Sequence, residues 1–276
     1  MDLDGTLFYP KKRFQFISRQ NVQFLKWAAS QGHHLVFVTS RNRAFVQRVI
    51  EKIGLSIDIV SRNGSEVYYR NEIIHKTYLD PKQIKVVFED IIQRHQRTML
   101  SIDADSVSNL VYSKGKNWYL NIIYRLYYWF QGVYREPFLI DNDVFVDKLK
   151  AHGDDLQRLL IYFGLSKKSK KLSHDESERL SKAFPDLSIL WIHSIIEVSP
   201  KSVSKANGLR LILEKERIHE DDVFVVGDSG NDIPLFESFH HSFVMAQAHP
   251  RIKKYAKHVI KRVYQLKPFI EKASND

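Results

Sequence analysis

The chain has 276 residues, of which 43% are hydrophobic, so it can form one large domain or two modest ones. It contains no cysteine, which excludes disulfide bonds, thiolate metal sites and a cysteine nucleophile. The formal net charge of +10 favours anionic partners, but charge alone does not choose among nucleic acid, anionic lipid and phosphorylated metabolites.

Helix and strand signals alternate over residues 1–78. Ser18 can cap a first helix whose apolar face carries Val22, Leu25 and Ala29. The predicted elements that follow are a buried strand at 35–38, a helix ending at Gly54, a strand at 57–60, an Asn-Gly turn at 63–64 and a strand at 66–69.

Residues 79–198 have a different texture, with strand-like segments outnumbering helical ones. Asp80-Pro81 starts an amphipathic helix whose apolar face carries Ile84, Val87, Phe88 and Ile91. Ser173 could cap another helix. The strand-like segments lie at 99–102, 110–112, 159–163, 189–192 and 195–198. This pattern predicts an α+β unit inserted between the two parts of an alternating domain.

Two unusual stretches lie within the predicted insertion. The first is the cluster Lys167, Lys168, Lys170 and Lys171, which resembles a nucleic-acid patch but which we interpret as a solvated turn after a strand. The second is the aromatic stretch 118–134, where Leu120, Tyr124, Tyr127 and Tyr128 fit one helical face. That face would pack on the sheet of the insertion, or it would form a substrate-facing or dimer surface.

Residues 199–276 return to the alternating pattern. The predicted elements are a helix around 209–213, a strand at 223–226, a short helix through Leu235 and Phe236, a strand at 243–245 and a helix opened by Pro250. We therefore predict an α/β fold, a Rossmann-like parallel sheet core formed by 1–78 and 199–276, with 79–198 as the inserted α+β domain. No apolar run approaches a membrane span and the first residues lack a signal core, so we expect a soluble cytoplasmic protein without a membrane partner.

An acid pair opens the chain, in the segment Asp2-Leu3-Asp4-Gly5-Thr6-Leu7. Carboxylates two residues apart in an extended chain share a face, and the glycine after them lets the backbone turn away. One carboxylate could then attack a phosphorus atom while the other handles protons. The alternative is an ordinary Asp-Gly turn at a frayed terminus.

A hydroxyl and a lysine lie at matching places further along. Thr39 and Ser40 follow the apolar strand at 35–38, at the end of a parallel strand where open α/β sheets bind ligands. The alternative is that they cap the helix that starts at Arg41. Lys205 directly precedes a predicted helix and could neutralise phosphate charge, although a single lysine is normally a solvated surface residue.

A second acidic segment follows the strand at 223–226, as Gly227-Asp228-Ser229-Gly230-Asn231-Asp232. Asp228 and Asp232 supply the carboxylate oxygens that Mg²⁺ prefers, and the alternative is a turn that caps the next helix. The acid pair, the hydroxyl, the lysine and the acidic loop all fall at the same end of predicted parallel strands. Together they predict one site.

This ordered set resembles the haloacid dehalogenase (HAD) superfamily, whose members start with Asp-x-Asp-Gly-Thr, and it is most similar to the Cof-type group with a IIB (C2-type) cap. The segments that carry the finer resemblance are 62–65 (Arg-Asn-Gly-Ser), 197–200 (Glu-Val-Ser-Pro), 203–205 (Val-Ser-Lys) and 247–250 (Gln-Ala-His-Pro), the last with Gln where the group has Asn. The resemblance covers both core halves through motifs and covers 79–198 by size and position only.

The resemblance implies a mechanism in which Asp2 attacks the phosphoryl group and Asp4 protonates the leaving oxygen, then activates water. Mg²⁺ would be held by Asp2, the backbone carbonyl of Asp4 and Asp228, with Asp232 acting directly or from behind. The phosphate-binding residues implied are Thr39, Lys205 and Asn231, the last of which would orient either Lys205 or the phosphate. The inserted cap would close over the substrate.

Two features depart from the family pattern. Members carry a full hydrophobic strand before the first Asp, whereas only Met1 precedes Asp2 here. One residue spans at most about 3.5 Å, so the first core strand is missing from this chain, and we expect that its start is truncated. The second departure is the basic charge, which we expect to favour strongly anionic substrates.

The function predicted on this basis is a Mg²⁺-dependent phosphatase that hydrolyses small phosphorylated metabolites, either sugar phosphates or phosphorylated cofactors, through an aspartyl-phosphate. One alternative is a phosphomutase or phosphotransferase, which would share the covalent Asp2. The other is a catalytically weak protein that binds nucleic acid or another partner. The intact acid set argues against decay of the active site, and we do not expect nucleic acid as a partner. The sequence leaves the substrate and the oligomeric state open.

Overall fold

The computed structural model describes residues 1–10, 17–96, 98–107, 110–113, 122, 139–151, 155–192 and 194–273. The chain divides into two compact units, the first formed by 1–76 with 203–276 and the second by 77–202. This division shows only that the chain forms two compact units, and the role of 79–198 as a cap stays a prediction. In the part of the chain that the structure describes, no helix is both long and apolar enough to cross a bilayer.

Helices and strands alternate in the first unit. Its strands are β1 (Val36–Val38), β2 (Asp58–Ser61), β3 (Glu66–Tyr69), β4 (Glu72–Lys76), β11 (Phe224–Gly227), β12 (His241–Met245) and β13 (His258–Ile260). Its helices are α1 (Arg19–Ser30), α2 (Arg43–Ile53), α6 (Lys205–Glu216), α7 (Ile233–Ser238), α8 (Pro250–Lys253) and α9 (Lys267–Ala273). The side chains of Ser18, Asn42 and Ser204 cap α1, α2 and α6 by accepting a hydrogen bond from a backbone N–H of the first turn.

The strands of the first unit form two sheets. One has the order β1-β2-β3-β4, with β1 and β2 parallel and the remaining pairs antiparallel. The other has the order β11-β12-β13 and is parallel throughout. The predicted α/β class with parallel strands is therefore confirmed. Apolar side chains of α6, among them Leu209 and Ile212, share one buried core with Val38, Val60, Val225 and Val244 of the two sheets.

Met1 and Asp2 occupy the place between β1 and β11. The backbone N–H of Val38 donates to the Met1 carbonyl at 2.9 Å, and the N–H of Asp2 donates to the Val226 carbonyl at 3.0 Å. Asp2 has extended backbone angles, φ −74° and ψ 161°. These two residues therefore link the two sheets by hydrogen bonds at this point.

The described residues of the second unit form one sheet and three helices. Its strands are β5 (Met99–Ala104), β6 (Leu110–Ser113), β7 (Leu139–Ile140), β8 (Leu156–Tyr162), β9 (Leu187–Ile192) and β10 (Ile195–Pro200). Its helices are α3 (Pro81–Arg94), α4 (Asn142–Lys150) and α5 (Lys167–Ala183). The strand order is β7-β6-β5-β8-β10-β9, with β6 and β7 parallel and the other pairs antiparallel. Side chains from all three helices join the core of this sheet.

Two predictions about the second unit are wrong. The lysine cluster at 167–171 is solvated, but it forms the start of α5 rather than a turn. Ser173 lies inside that helix, where its hydroxyl donates to the Lys170 carbonyl, and Ser166 is the N-cap. The sequence pattern misplaced the start of this helix because its buried residues are Ser173, Ser177 and Leu180, only one of which is apolar. The aromatic stretch 118–134 lies outside the described residues.

Candidate active site

A tight loop at 3–7 carries the acid pair. Gly5 has φ +80°, a conformation that side-chain-bearing residues rarely adopt, and a Cβ at this position would lie 2.2 Å from Asp228 Oδ2. Only glycine therefore lets the acidic loop approach the first loop this closely. Asp2 is 4% exposed, whereas the side chain of Asp4 is 32% exposed.

Lys205 is the first residue of α6 and points into the protein. Its Nζ donates to Asp2 Oδ1 at 2.7 Å and to Asp232 Oδ1 at 2.6 Å, and its side chain is fully buried. An ammonium group has three protons, and among the described residues only these two acceptors lie within hydrogen-bond distance of this one. The third N–H is therefore available to another acceptor.

The acidic loop after β11 is built around Asp232. Its Oδ2 accepts hydrogen bonds from the backbone N–H groups of Asp228 at 2.9 Å and Ser229 at 3.0 Å, while its Oδ1 holds Lys205. Both oxygens of Asp232 are thus occupied. Asp228 accepts one hydrogen bond on Oδ1, from the Thr6 hydroxyl at 3.3 Å.

Three carboxylates and one ammonium group are concentrated in this space. Oxygens of Asp2, Asp228 and Asp232 lie within 4.8 Å of one another. Burial raises the pKa of Asp2 to about 8, with Asp232 and Asp228 adding to the effect and Lys205 opposing it. Burial, assisted by Asp232, raises the pKa of Asp228 to about 7. Burial would lower the pKa of the Lys205 amine, but Asp2 and Asp232 hold it above the ordinary value.

These carboxylates fit a hard divalent cation. Among the described residues, no donor lies within hydrogen-bond distance of Asp2 Oδ2 or Asp228 Oδ2, whereas Asp232 has no oxygen to spare. A hard cation takes oxygen ligands and offsets the excess of negative charge. Asp2 and Asp228 are therefore the residues that could coordinate it, and Asp232 supports them through its hydrogen bonds.

Thr39 lies at the end of β1 and is fully buried. Its Oγ1 accepts a hydrogen bond from the backbone N–H of Arg41 at 3.2 Å, and the described residues offer no acceptor for its hydroxyl proton. This proton is available to a ligand oxygen. The alternative interpretation, in which Thr39 or Ser40 caps the next helix, is wrong because Asn42 is the cap, accepting from Phe45 N–H at 2.9 Å.

Asn231 is held by two neighbours rather than by Lys205. Its Nδ2 donates to Asn63 Oδ1 at 2.9 Å, and its Oδ1 accepts from the Ser229 hydroxyl at 2.5 Å. Asn63 has φ +58° and is buried, and asparagine tolerates this left-handed conformation better than most residues. Asn231 makes no hydrogen bond to Lys205 in the described structure, so of its two predicted partners a phosphate fits better.

Asp4 is separated from the other three acids. Its carboxylate pairs with Arg41, whose Nε donates to Asp4 Oδ2 at 2.8 Å and whose Nη2 donates to Oδ1 at 3.1 Å. Sequence reasoning missed Arg41, Thr6 and the contact between Asn63 and Asn231. The position of Arg41, two residues after Thr39, was the only signal that could have drawn attention to it.

Comparison with known proteins gives a family match over most of the chain. A family model described as haloacid dehalogenase-like hydrolase matches residues 1–265. YkrA of Bacillus subtilis (strain 168) is 23% identical over 95% of this chain and 91% of that protein. The 5-amino-6-(5-phospho-D-ribitylamino)uracil phosphatase YwtE of the same organism is 23% identical over 95% of this chain and 91% of its own length.

Solved structures show the same fold. The HAD subclass IIB sugar phosphatase BT4131 superposes with a TM-score of 0.77 at 18% identity, covering 97% of this chain and 96% of that one. The phosphatase BT1666 from Bacteroides thetaiotaomicron superposes with a TM-score of 0.75 at 20% identity, covering 97% of this chain and 92% of that one. At these low sequence identities, the structural similarity shows a shared fold only.

Proposed function

Because the chain belongs to the haloacid dehalogenase-like hydrolase family, as its motifs predicted, we propose that it is a Mg²⁺-dependent phosphatase acting on small phosphorylated metabolites through an aspartyl-phosphate on Asp2. The observation that carries the proposal is the buried cluster in which Lys205 Nζ bridges Asp2 and Asp232. The names of YwtE and BT4131, a phosphoribityl-compound phosphatase and a sugar phosphatase, support a small phosphate monoester as substrate.

Asp2 is suited to be the nucleophile. Lys205 holds Oδ1 and so fixes the plane of the carboxylate, one oxygen of which would attack phosphorus while the other would contact the cation. In the first step a carboxylate oxygen of Asp2 bonds to phosphorus, the ester P–O bond breaks, and the leaving alkoxide takes a proton from Asp4. In the second step water attacks the phosphorus and gives a proton to Asp4. The P–O bond to Asp2 then breaks, which releases phosphate and restores both carboxyl groups.

The oxygens of the phosphoryl group need donors as charge shifts in the transition state. The hydroxyl proton of Thr39 and the third N–H of Lys205 can donate to them, and Asn231 has a second amide proton for the same purpose. Thr39 and Lys205 are buried, Asn231 is half-buried, and all three are preorganised by their other hydrogen bonds. They would therefore need little reorganisation when substrate binds.

Mg²⁺ would be held by the carboxylates of Asp2 and Asp228 and by the backbone carbonyl of Asp4, with Asp232 behind them. When bound, it would supply positive charge against the phosphoryl oxygens and keep the Asp2 carboxylate ionised. The chain's own contribution is to hold these oxygens together, because Gly5 admits Asp228 to the first loop and Asp232 fixes both Lys205 and the acidic loop.

The test is phosphate release with Mg²⁺ from sugar phosphates, flavin and pyridoxal phosphates, and p-nitrophenyl phosphate. We expect Asp2→Asn to lose at least about 10³-fold in kcat. The matched control is Asp143→Asn, an exposed carboxylate at the start of α4, which should keep full activity. Quenched wild-type protein should carry one phosphoryl group on Asp2 by mass spectrometry.

Two outcomes would contradict the proposal. Equal activity in Asp2→Asn and Asp143→Asn would exclude Asp2 as the nucleophile. Transfer of the phosphoryl group to a second sugar phosphate, without phosphate release, would favour the phosphomutase or phosphotransferase alternative.

A further inference from the structure

Arg41 forms a bidentate ion pair with the carboxylate of Asp4. The two donated hydrogen bonds, 2.8 Å from Nε and 3.1 Å from Nη2, reach different oxygens of the same carboxylate. A guanidinium group in this arrangement fixes both the position and the plane of a carboxylate. Asp4 follows the buried Leu3 and precedes Gly5 in the tight loop, so this contact sets the direction of its side chain.

Arg41 is itself held in place from three sides. Its backbone N–H donates to Thr39 Oγ1 at 3.2 Å, and its backbone carbonyl accepts from Arg62 N–H at 3.0 Å. Its guanidinium carbon lies 4.7 Å from the ring centre of Phe45, a buried residue of α2. The side chain of Arg41 is 15% exposed. The guanidinium is therefore a fixed support and not a mobile surface charge.

The same residue thus orients two groups that the proposed reaction uses. Its backbone N–H occupies a lone pair of the Thr39 hydroxyl, which turns the hydroxyl proton elsewhere, and its side chain holds the Asp4 carboxylate. Proton transfer requires the carboxyl oxygen to lie within hydrogen-bond reach of the leaving oxygen. Loss of the guanidinium would remove both of these hydrogen bonds from a partly exposed carboxylate.

We propose that Arg41 is a positioning residue that aims Asp4 at the leaving-group oxygen. This inference rests on the proposed function. It predicts a dependence on the leaving group, because an alkoxide must be protonated as it departs whereas p-nitrophenolate is stable without a proton. It also predicts that lysine cannot replace Arg41, since an ammonium group is a point charge without the planar fork.

The experiment compares Arg41→Gln, Arg41→Lys and Arg41→Ala with wild type on the best alkyl phosphate of the panel and on p-nitrophenyl phosphate. Single-turnover release of the alcohol or phenolate reports the first step alone. We expect Arg41→Gln and Arg41→Lys to slow alkyl phosphate cleavage by about 10²-fold, with KM nearly unchanged, and aryl phosphate cleavage by less than about tenfold. Added guanidinium chloride should partly restore alkyl phosphate cleavage in Arg41→Ala.

The matched control is Arg43→Gln. Arg43 lies two residues away and its guanidinium contacts Asn71 and the Tyr68 ring rather than Asp4, so the variant should behave as wild type. Equal losses on both substrates without guanidinium rescue would show a merely structural role and overturn the inference. So would Arg41 variants that match Arg43→Gln. A wild-type chain inactive on the whole panel would overturn the proposed function itself, and the assignment of Arg41 with it.

Discussion

Asp2, Asp228 and Asp232 bring three carboxylates together around the single ammonium group of Lys205. Buried charges are costly unless they are paired and hydrogen-bonded. Asp232 meets this condition with both oxygens, whereas Asp2 and Asp228 each keep one oxygen without a donor among the described residues. The two residues that carry the uncompensated charge are therefore the two that the proposed cation would contact.

Comparing Gly5 with Gly32 distinguishes the cost of a left-handed backbone from the cost of a steric clash. Gly5 and Gly32 have nearly equal φ angles, +80° and +81°, but a Cβ at Gly5 would strike Asp228 whereas a Cβ at Gly32 would meet nothing within 4 Å. We expect both alanine variants to lose about 1–2 kcal/mol from the left-handed backbone, and only Gly5→Ala to lose phosphatase activity, by about 10²-fold or more. Urea unfolding measures the expected loss of stability, and kcat measures the expected loss of activity. Equal activity in both variants would contradict the steric explanation.

The residues predicted from the sequence are those whose chemistry follows from their type and their local setting. Asp228 and Asp232 stood out because they follow an apolar run, and Asp2 because it forms an acid pair with Asp4 ahead of Gly5. The structure gathers Asp2, Asp228 and Asp232 with Lys205. Arg41 did not stand out because its contact with Asp4 joins residues 37 positions apart. The contact of Asn63 with Asn231 spans 168 positions and has no local signal.

At the scale of elements, apolar periodicity predicted the buried face of a helix correctly where that face is apolar. It predicted the buried face of α3 as Ile84, Val87, Phe88 and Ile91. It misplaced the face of α1, where Asn21 is fully buried while Val22 and Ala29 are partly exposed. Asn21 faces inward because its Nδ2 donates to the Leu7 carbonyl at 2.9 Å and its Oδ1 accepts from Tyr264 N–H at 3.3 Å. A hydrophobicity pattern cannot reveal a buried residue that is polar.

His34, just before β1, forms a pH-dependent contact with Asp58 of β2. His34 Nε2 lies 2.8 Å from Asp58 Oδ2, and this hydrogen bond raises the pKa of His34 against the opposing effect of burial. Because the pKa in the folded protein is the higher one, the pair stabilises the protein fully below the ordinary histidine pKa of about 6.5. The contribution disappears as the pH rises through the folded-state pKa.

We therefore expect His34→Gln to lower the free energy of unfolding by about 1 kcal/mol more at about pH 5.5 than at about pH 9. Urea denaturation of the variant and the wild type at both pH values measures the difference. His219→Gln is the control, because His219 is a largely exposed residue whose carboxylate neighbour is exposed as well. A loss for His34→Gln that is the same at both pH values would contradict a charged His34.

At the scale of the whole molecule, the three carboxylates join distant parts of one unit. Asp2 belongs to the segment 1–76 and the other two belong to 203–276. A cation that Asp2 and Asp228 coordinate only when the two segments are assembled would stabilise the folded first unit, by about 2.7 kcal/mol at 100 times its Kd. None of the described residues of the second unit, at 77–202, belongs to this cluster.

We expect added Mg²⁺ to raise the unfolding temperature of the first unit and EDTA to reverse the shift. Asp228→Asn should remove most of the shift, while Asp143→Asn should keep it. Differential scanning calorimetry is the suitable measurement because it separates two units that unfold independently. An equal shift in both variants would show that the cation acts elsewhere on the chain.

Because the first unit is interrupted in sequence, it cannot be completed before the second unit has been synthesised. Asp2 and Lys205 are separated by 203 positions, and the contiguous unit at 77–202 lies between them. Domains fold as they leave the ribosome, so the second unit can complete its sheet while the first still lacks β11 and α6. The proposed nucleophile is thus made well before the lysine that pairs with it. Nascent chains therefore lack the assembled cluster of Asp2, Lys205 and Asp232 until the segment through Asp232 has been synthesised.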